Sequence, residues 1–367
     1  MKKSQYIGMM SGTSLDGVDI CHADFSQPQN PLIQQKEYPF PQDLKKEILD
    51  LCQNNSTTIE KVGLIDHKLG QLYANVVLKF TSEFKINTKE ILAIGCHGQT
   101  VWHSPEGPYP FSIQLGDLNI IAVKTGIKTI GDFRRKDIAL GGQGAPLVPV
   151  FHNHFFKSET ENRIILNIGG ISNITKLYIN EPITGYDTGP GNILLDAWIR
   201  KVKGLNYDQN GQWASTGTVH KKLLKILLSD PYFIKPAPKS TGREKFNLNW
   251  IENILKNQFD HIPEQDVMAT LTELTAQSIT NEINNINKCN TVIVCGGGAL
   301  NKDLLHRLKR KLHKINIATS LKYNIDPLCV ESIAFAWLAK IRNEEISGNI
   351  PSVTGAREDT LLGTIVK

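Results

Sequence analysis

The stretch MMSGTSLDGVD at residues 9–19 sets two glycines, three small hydroxyl residues and two aspartates between apolar runs near the start of the chain. Glycine tolerates positive φ and has no Cβ, so such a loop lets backbone N–H groups come close to an anion. It lacks the G-x-x-x-x-G-K-[ST] spacing of a P-loop and holds no lysine. A phosphate bound here would therefore sit in another architecture, and a plain turn rich in Gly, Ser and Asp is the competing reading. The flanks are informative. QYIGMM before the loop and VDICHADF after it are both strand-like, the second apolar on both faces and so central in a sheet. The unit reads as a hairpin, which excludes the P-loop and Rossmann arrangements, where phosphate meets a helix N-terminus.

Working outward, helices are predicted over 44–52 and 69–83, followed by a strand ILAIGCHGQT whose polar tail, 96–100, points into a cleft. NRIILNIGGISNITKLY (162–178) repeats the strand, small polar loop, strand pattern around a Gly-Gly turn, and a third strand then ends in the corner GYDTGPGN (185–192). Two such units predict a duplicated α/β domain. Then come a helix ILLDAWIRKVKG, an ordered loop PAPKSTGREKFN (236–247) and a helix from Asp266 carrying Val267, Leu271, Leu274, Ile279, Ile283 and Ile286. The strand TVIVC leads into CGGGALN (295–301) and another helix. This is no dinucleotide fingerprint, because Asn301 stands where the third glycine belongs; it reads as the cap of the next helix. A tight strand-to-helix turn is the alternative for these glycines. Taken together, the two hairpin loops and the glycine corner point to a nucleotide clamped between two halves of the molecule.

Bulk properties agree with two domains of ordinary size in 367 residues. The chain is 40% hydrophobic and 21% charged, the composition of a soluble globular protein, with no apolar run long enough to cross a bilayer. Its N-terminus lacks the apolar core of a secretory signal, so a cytoplasmic location is expected and no membrane partner. Cys21, Cys52, Cys96, Cys289, Cys295 and Cys329 form no C-x-x-C pair and read as reduced, mostly buried thiols, with no structural metal implied. The net charge of +5 is mild. The basic run HRLKRKLHK (306–314) lies on a helix with an apolar stripe of Leu304, Leu305, Leu308 and Leu312, so it reads as a solvated face, and no nucleic-acid motif accompanies it.

In this order, GMMSGTSLDGVD, GCHGQTVWH, GDFRRKDIALGGQGAPLVP, NIGGISNIT, DTGPGN, STGREKFN and CGGGALN resemble the anhydro-N-acetylmuramic acid kinase family, from Ile7 to about Leu362. The resemblance implies an α/β fold of two actin and sugar-kinase-like (ribonuclease H-like) domains flanking a deep ATP and substrate cleft. The expected boundaries are 1–132 plus 348–367 for the first domain and 133–347 for the second. It implies an ATP- and Mg²⁺-dependent phosphotransferase that opens the 1,6-anhydro ring of 1,6-anhydro-N-acetylmuramic acid with water and phosphorylates O6, in peptidoglycan recycling. A homodimer is carried over from the family.

Such chemistry needs one carboxylate base for the water and no general acid, because O6 is captured by phosphorus. Asp187, in the family's D-T-G-P-G-N block, is the candidate; Asn192 is better placed than Asp187 to cap the helix that follows. Asp326-Pro327 reads as the start of a helix that carries Glu331, which helps hold the water in the family. Gly12, Thr13, Ser14, Leu15, Asp16, Gly17, Val18 and Asp19 should line the β- and γ-phosphates, with Asp16 or Asp19 holding water around Mg²⁺. Gly169 and Gly170 form the facing loop, and Gly296, Gly297 and Gly298 admit adenosine. Arg134 and Arg243 are candidates for the lactyl carboxylate, and His97 and Gln99 for sugar contacts. His22, His152, His154 and His220 read as structural. The rival readings are an ordinary sugar kinase and an actin- or Hsp70-like nucleotide-dependent binding protein. A sugar-sensing repressor is expected less than either, since the first strand is entered by residue 7, with no room for a helix-turn-helix.

Overall fold

The computed structural model describes residues 4–12, 15–27, 30–53 and 56–367, so Thr13 and Ser14 of the first loop lie outside the described residues. The strands, in chain order, are β1 (Gln5–Met10), β2 (Gly17–Asp24), β3 (Leu32–Pro39), β4 (Ile91–Cys96), β5 (Gln99–Ser104), β6 (Phe111–Leu115) and β7 (Thr129–Gly131), then β8 (Arg163–Ile168), β9 (Ile171–Leu177), β10 (Thr184–Pro190), β11 (Thr291–Cys295), β12 (Asn316–Thr319) and β13 (Thr364–Val366).

Two compact units result: Met1–Phe155 with Cys329–Lys367, and Phe156–Leu328. The first holds a sheet of order β13-β7-β4-β1-β2-β3, with a separate β5-β6 ribbon, and the second a sheet of order β10-β9-β8-β11-β12. Counted from its own first strand, each sheet contains the order 3-2-1-4-5. The first three strands are antiparallel and the last two run parallel to the first. The duplicated α/β pattern expected from the two hairpins is therefore present.

In the first unit, Ile7, Met9, Val18, Ile20 and Ile94 meet the helix Ile59–Glu83 through Ile65, Leu69, Tyr73, Val76, Val77 and Phe80. That helical stripe against strand residues of one parity is what binary patterning demands. On the other face Gly8 pairs with Gly95 across β1 and β4, and the helix Val330–Asn343 sits on this pair. A Cβ built on Gly8 would lie 1.9 Å from the Ser332 carbonyl oxygen, and one on Gly95 2.0 Å from that of Phe335. In the second unit, Ile164, Leu166, Ile168, Val292 and Val294 pack with Ala276, Ile279 and Ile283 of the helix Glu264–Ile286 and with Leu304 and Leu308 of the helix Lys302–Lys311.

Several local expectations change. Residues 133–155 and 329–347, expected in the second domain, lie in the first unit, because the apolar helix Val330–Asn343 rests on its sheet. The strand over 91–100 stops at Cys96; Gly98 turns at φ +75° and Gln99 opens β5. The helix expected from Asp326-Pro327 begins at Val330, since Asp326 Oδ1 accepts from Leu328 N in a local turn. Asn192 stands at the cap position without capping; its Nδ2 donates to the Ile168 carbonyl instead. Asn301 does cap, accepting from Leu304 N at 3.0 Å, and His220 caps through Nδ1. The basic run is not wholly solvated: Arg307 is buried between Glu273 and Asp303. Among the described residues, no helix is long and apolar enough to cross a membrane.

The glycine seat is testable. Gly8→Ala or Gly95→Ala should destabilise by roughly 1–3 kcal/mol or more, as overpacking against backbone does. Gly63→Ala, in the helix Ile59–Glu83 with nothing within 4 Å of its built Cβ, should stabilise by about 0.5–1 kcal/mol. Urea unfolding of the three variants reads both signs.

Candidate active site

The candidate residues fall into two sets, one in each unit. In the first, Leu15 N donates to the Gly12 carbonyl at 3.1 Å. Leu15 takes φ +55° yet is buried. A left-handed leucine costs about 1–2 kcal/mol, which burial of its side chain can offset. A Cβ on Gly17 would fall 2.2 Å from Glu37 Oε1, but Glu37 is an exposed, flexible side chain that can swing aside, so packing does not by itself demand glycine there. Val18 belongs to the core, so only its backbone can face a ligand. Asp16 is exposed and paired with Lys45 at 2.9 Å. Asp19 differs: burial, then the charges of Glu37 and Glu331, push its carboxyl up to about 7. Glu331, in the first turn of its helix, thus acts on Asp19.

His97 and Arg134 are joined. Arg134 donates from Nε (3.0 Å) and Nη2 (2.8 Å) to His97 Nε2 and from Nη1 to the Gly144 carbonyl (2.8 Å). His97 Nδ1 donates in turn to the Gly98 carbonyl at 2.8 Å, and its ring packs 4.8 Å from that of Phe335. Burial and then the neighbouring guanidinium hold His97 well below its usual range, so it is a neutral acceptor. Burial lowers Arg134 to about 10, which leaves it cationic at neutral pH. A guanidinium carries five N–H groups, so the fork keeps donors beyond these three bonds for a planar anion. Both polar atoms of His97 are engaged, and it orients Arg134 rather than standing open for a sugar hydroxyl. Gln99 is also buried; its Oε1 accepts from Ser11 Oγ at 2.7 Å, tying β5 to the first loop.

Sequence reasoning missed Asp137. This fully buried carboxylate accepts from Gly144 N, Asn349 Nδ2 and Thr354 Oγ1 at 2.7–2.9 Å, fixing the Gly144 carbonyl that Arg134 uses. An aspartate inside the glycine-rich GDFRRKDIALGGQG segment was the available signal.

In the second unit, Asp187 lies on β10 where the ladder slips between Asp187 and Gly189, the kind of bulge that re-aims a side chain. Its backbone N–H donates to the Lys239 carbonyl (3.0 Å), its carbonyl accepts from Tyr232 OH (2.7 Å), and its Oδ2 accepts from Thr241 N (3.0 Å). Burial pushes the carboxyl up, Thr241 N–H opposes, and Glu244 adds to the rise, to about 6. Arg243 is exposed in the same STGREKF loop. The carbonyls of Gly169 and Gly170 accept from the amides of Gly191, Asn192 and Ile193, locking the second hairpin to the DTGPGN corner. Among the three later glycines, Gly296 (φ +78°) and Gly298 are required by close approach to Asn167 and Ile168 of β8. Gly297 is exposed, so it is the one whose bareness packing does not explain.

The Asp19 cluster yields a titration experiment. Replacing Glu331 by Gln removes a like charge, so the Asp19 carboxyl should ionise at lower pH than in the parent protein. Carboxyl ¹³C shifts followed from pH 4 to 9 measure it, and an unmoved midpoint would show that Glu331 does not act on Asp19.

The family model described as anhydro-N-acetylmuramic acid kinase matches residues 4–367. The chain is 51% identical over 362 residues to the anhydro-N-acetylmuramic acid kinase of Pasteurella multocida, covering 98% of this chain and 96% of that one. Identity is 50% over 373 residues to the enzyme of that name from Photobacterium profundum, with 100% and 99% covered. It is 49% over 378 residues to that of Haemophilus influenzae, with 100% and 98% covered. Matches of this extent, running through both units and every block from the first loop to the last, place the chain in the anhydro-N-acetylmuramic acid kinase family.

Proposed function

We propose that this kinase uses ATP and water to convert 1,6-anhydro-N-acetylmuramic acid into N-acetylmuramic acid 6-phosphate and ADP. The observation that carries this reading is the end-to-end family match over residues 4–367. In the proposed step, Asp187 takes a proton from water as the water oxygen bonds to C1. The C1–O6 bond breaks, O6 bonds to the γ-phosphorus, and the bond to the β-phosphate breaks to release ADP. A carboxylate held near 6 suits the base role, being ionised at neutral pH yet more basic than a solvated aspartate. Arg134, aimed by His97 and the Gly144 carbonyl, takes the lactyl carboxylate. The Gly12 to Asp19 loop and Gly169–Gly170 serve the phosphates, and Gly297 lets the nucleoside approach closely.

Asp19 fits the Mg²⁺ expected with ATP better than Asp16 does. The Asp19 carboxyl is crowded by two other carboxylates, a charge that a divalent cation relieves, whereas Asp16 already pairs with Lys45. No group of three His, Cys, Asp or Glu side chains among the described residues is arranged to hold a metal directly, which suits a cation bound mainly through water and phosphate. When bound, the ion screens the phosphate charge. The reading also includes a cytoplasmic homodimer, and a monomer in sedimentation velocity would remove that assembly.

Turnover in ¹⁸O-water should place label at C1 of a 6-phosphorylated product. Asp187→Asn should lower kcat by about 10²–10⁴-fold, and the parent kcat/KM, which reports the free enzyme, should rise with pH through about 6 and then level. Phosphorylation with the 1,6 bond intact would select the ordinary sugar kinase, and ATP hydrolysis without sugar turnover the nucleotide-dependent binding protein.

A further inference from the structure

Beneath Asp187 lies an ion pair that the reaction does not use. Lys239 Nζ stands 2.7 Å from Glu282 Oε1, with the two side chains only 2% and 11% exposed. The ammonium also lies 5.0 Å from the centre of the Tyr232 ring, and the Tyr186 phenol hydrogen-bonds Glu282. A lysine in a Pro-Ser-Thr-Gly loop ordinarily keeps its charge in water. Burying the pair costs desolvation of both ions, which their attraction does not repay as net stability, so stability alone is a poor account of it.

Its backbone connections supply another account. The Lys239 carbonyl accepts from Asp187 N, and two residues later Thr241 N donates to Asp187 Oδ2. Tyr232, over whose ring the Lys239 ammonium lies, donates its phenol O–H to the Asp187 carbonyl. Glu282 belongs to the helix Glu264–Ile286, and seven residues earlier on the same face Thr275 Oγ1 donates toward the Pro190 and Gly191 carbonyls at 3.1 and 3.0 Å. One rigid helix therefore holds the corner after Asp187 through Thr275 and the loop over Asp187 through Glu282.

We propose that the buried Lys239–Glu282 pair is a positioning device for Asp187, anchoring the 239–241 segment so that its backbone grips that residue at both the main chain and the carboxylate. Lys239 and Glu282 are positioning residues and touch no reactant. The inference rests on the reading of Asp187 as the base.

The test uses the full-length protein with Lys239→Met/Glu282→Met, which replaces the pair by apolar volume, and Glu282→Gln, which removes one charge. Amide exchange of the peptide containing Thr241, kcat and KM for both substrates, and the pH profile of kcat/KM are measured on each. The expected result for folded variants is at least tenfold faster exchange at Thr241 and at least tenfold lower kcat, with KM for ATP within twofold of the parent. The acid limb of the profile should move upward, because Thr241 N–H is what opposes the rise in the Asp187 carboxyl. If neither variant folds, Glu282→Asp keeps the charge but shortens the tether and is read in the same way. Folded protein with parental Thr241 exchange, or with parental kcat and acid limb, overturns the proposal. Asp187→Asn is run in parallel, and full turnover there would overturn the base reading by itself, whatever Thr241 exchange shows, so the two failures separate.

Discussion

The contact between the helix Val330–Asn343 and the bare backbone of Gly8 and Gly95 is the constraint on which the first unit is built. With hydrogen in place of two side chains, the helix comes down until the Ser332 and Phe335 carbonyls occupy the space that Cβ atoms would need. That depth has consequences along the helix. Its first turn brings Glu331 within electrostatic reach of Asp19 on β2, and Phe335 one turn later meets the rings of His97 and Phe133. His97 then serves as acceptor for Arg134. A side chain at either glycine would lift the helix, and the acidic pair and the guanidinium fork would lose their common support.

The second unit solves the same problem with a different device. Its sheet has the same strand order, but Asp187 is held by backbone groups from a loop far along the chain, and hydroxyl and charged side chains of the helix Glu264–Ile286 hold the loop and the corner. The difference follows from what each segment presents. β1 and β4 are paired in register from Tyr6 to Met9 and can accept a helix, whereas the loop 236–247 has no ladder to join and must be fixed by side chains.

Much of the fold was legible because its signals are local. The apolar runs around residues 11–16 and 169–170 dictate two hairpins, and their recurrence predicts two similar units. Asp187 and Arg134 could be named as candidates, since each stands in a short block of distinctive composition, whereas Asp16 and Asp19 share one block and composition offered no choice between them. The surroundings of these residues were not legible. Glu37, Glu331 and Asp19 are far apart in sequence, and Lys239 and Glu282 are separated by 43 residues. Only Glu282, lying next to Ile283 and three residues after Ile279, hinted that a charge was buried on an apolar helix face. At Asp326-Pro327 the local rule worked in part: the aspartate does cap an amide, but in a turn whose Pro327 carbonyl accepts from Gly296 N. The helix had to begin later, where its apolar face meets the sheet.

The carboxylates also explain why burial alone does not define a site. Glu273 and Asp187 are both desolvated, yet their shifts have opposite signs. For Glu273 burial pushes upward, but Lys311 and Arg307 outweigh it and hold the group below its ordinary value. Its contribution to stability is present above its unfolded pKa and fades as pH falls through the lower folded value. For Asp187 the neighbouring charge is Glu244, and the folded pKa rises to about 6; for Asp19 the neighbours are Glu37 and Glu331, and it rises to about 7. Those two contribute stability below about 4, and it is lost as pH climbs through 6 and 7, so the fold carries their ionised forms at neutral pH against its own preference. Lys239 sharpens the contrast. Its backbone touches Asp187, and its ammonium is the cation that would have reversed the shift, but that ammonium is turned to Glu282. A direct Lys239–Asp187 pair would make a more stable carboxylate and a poorer base.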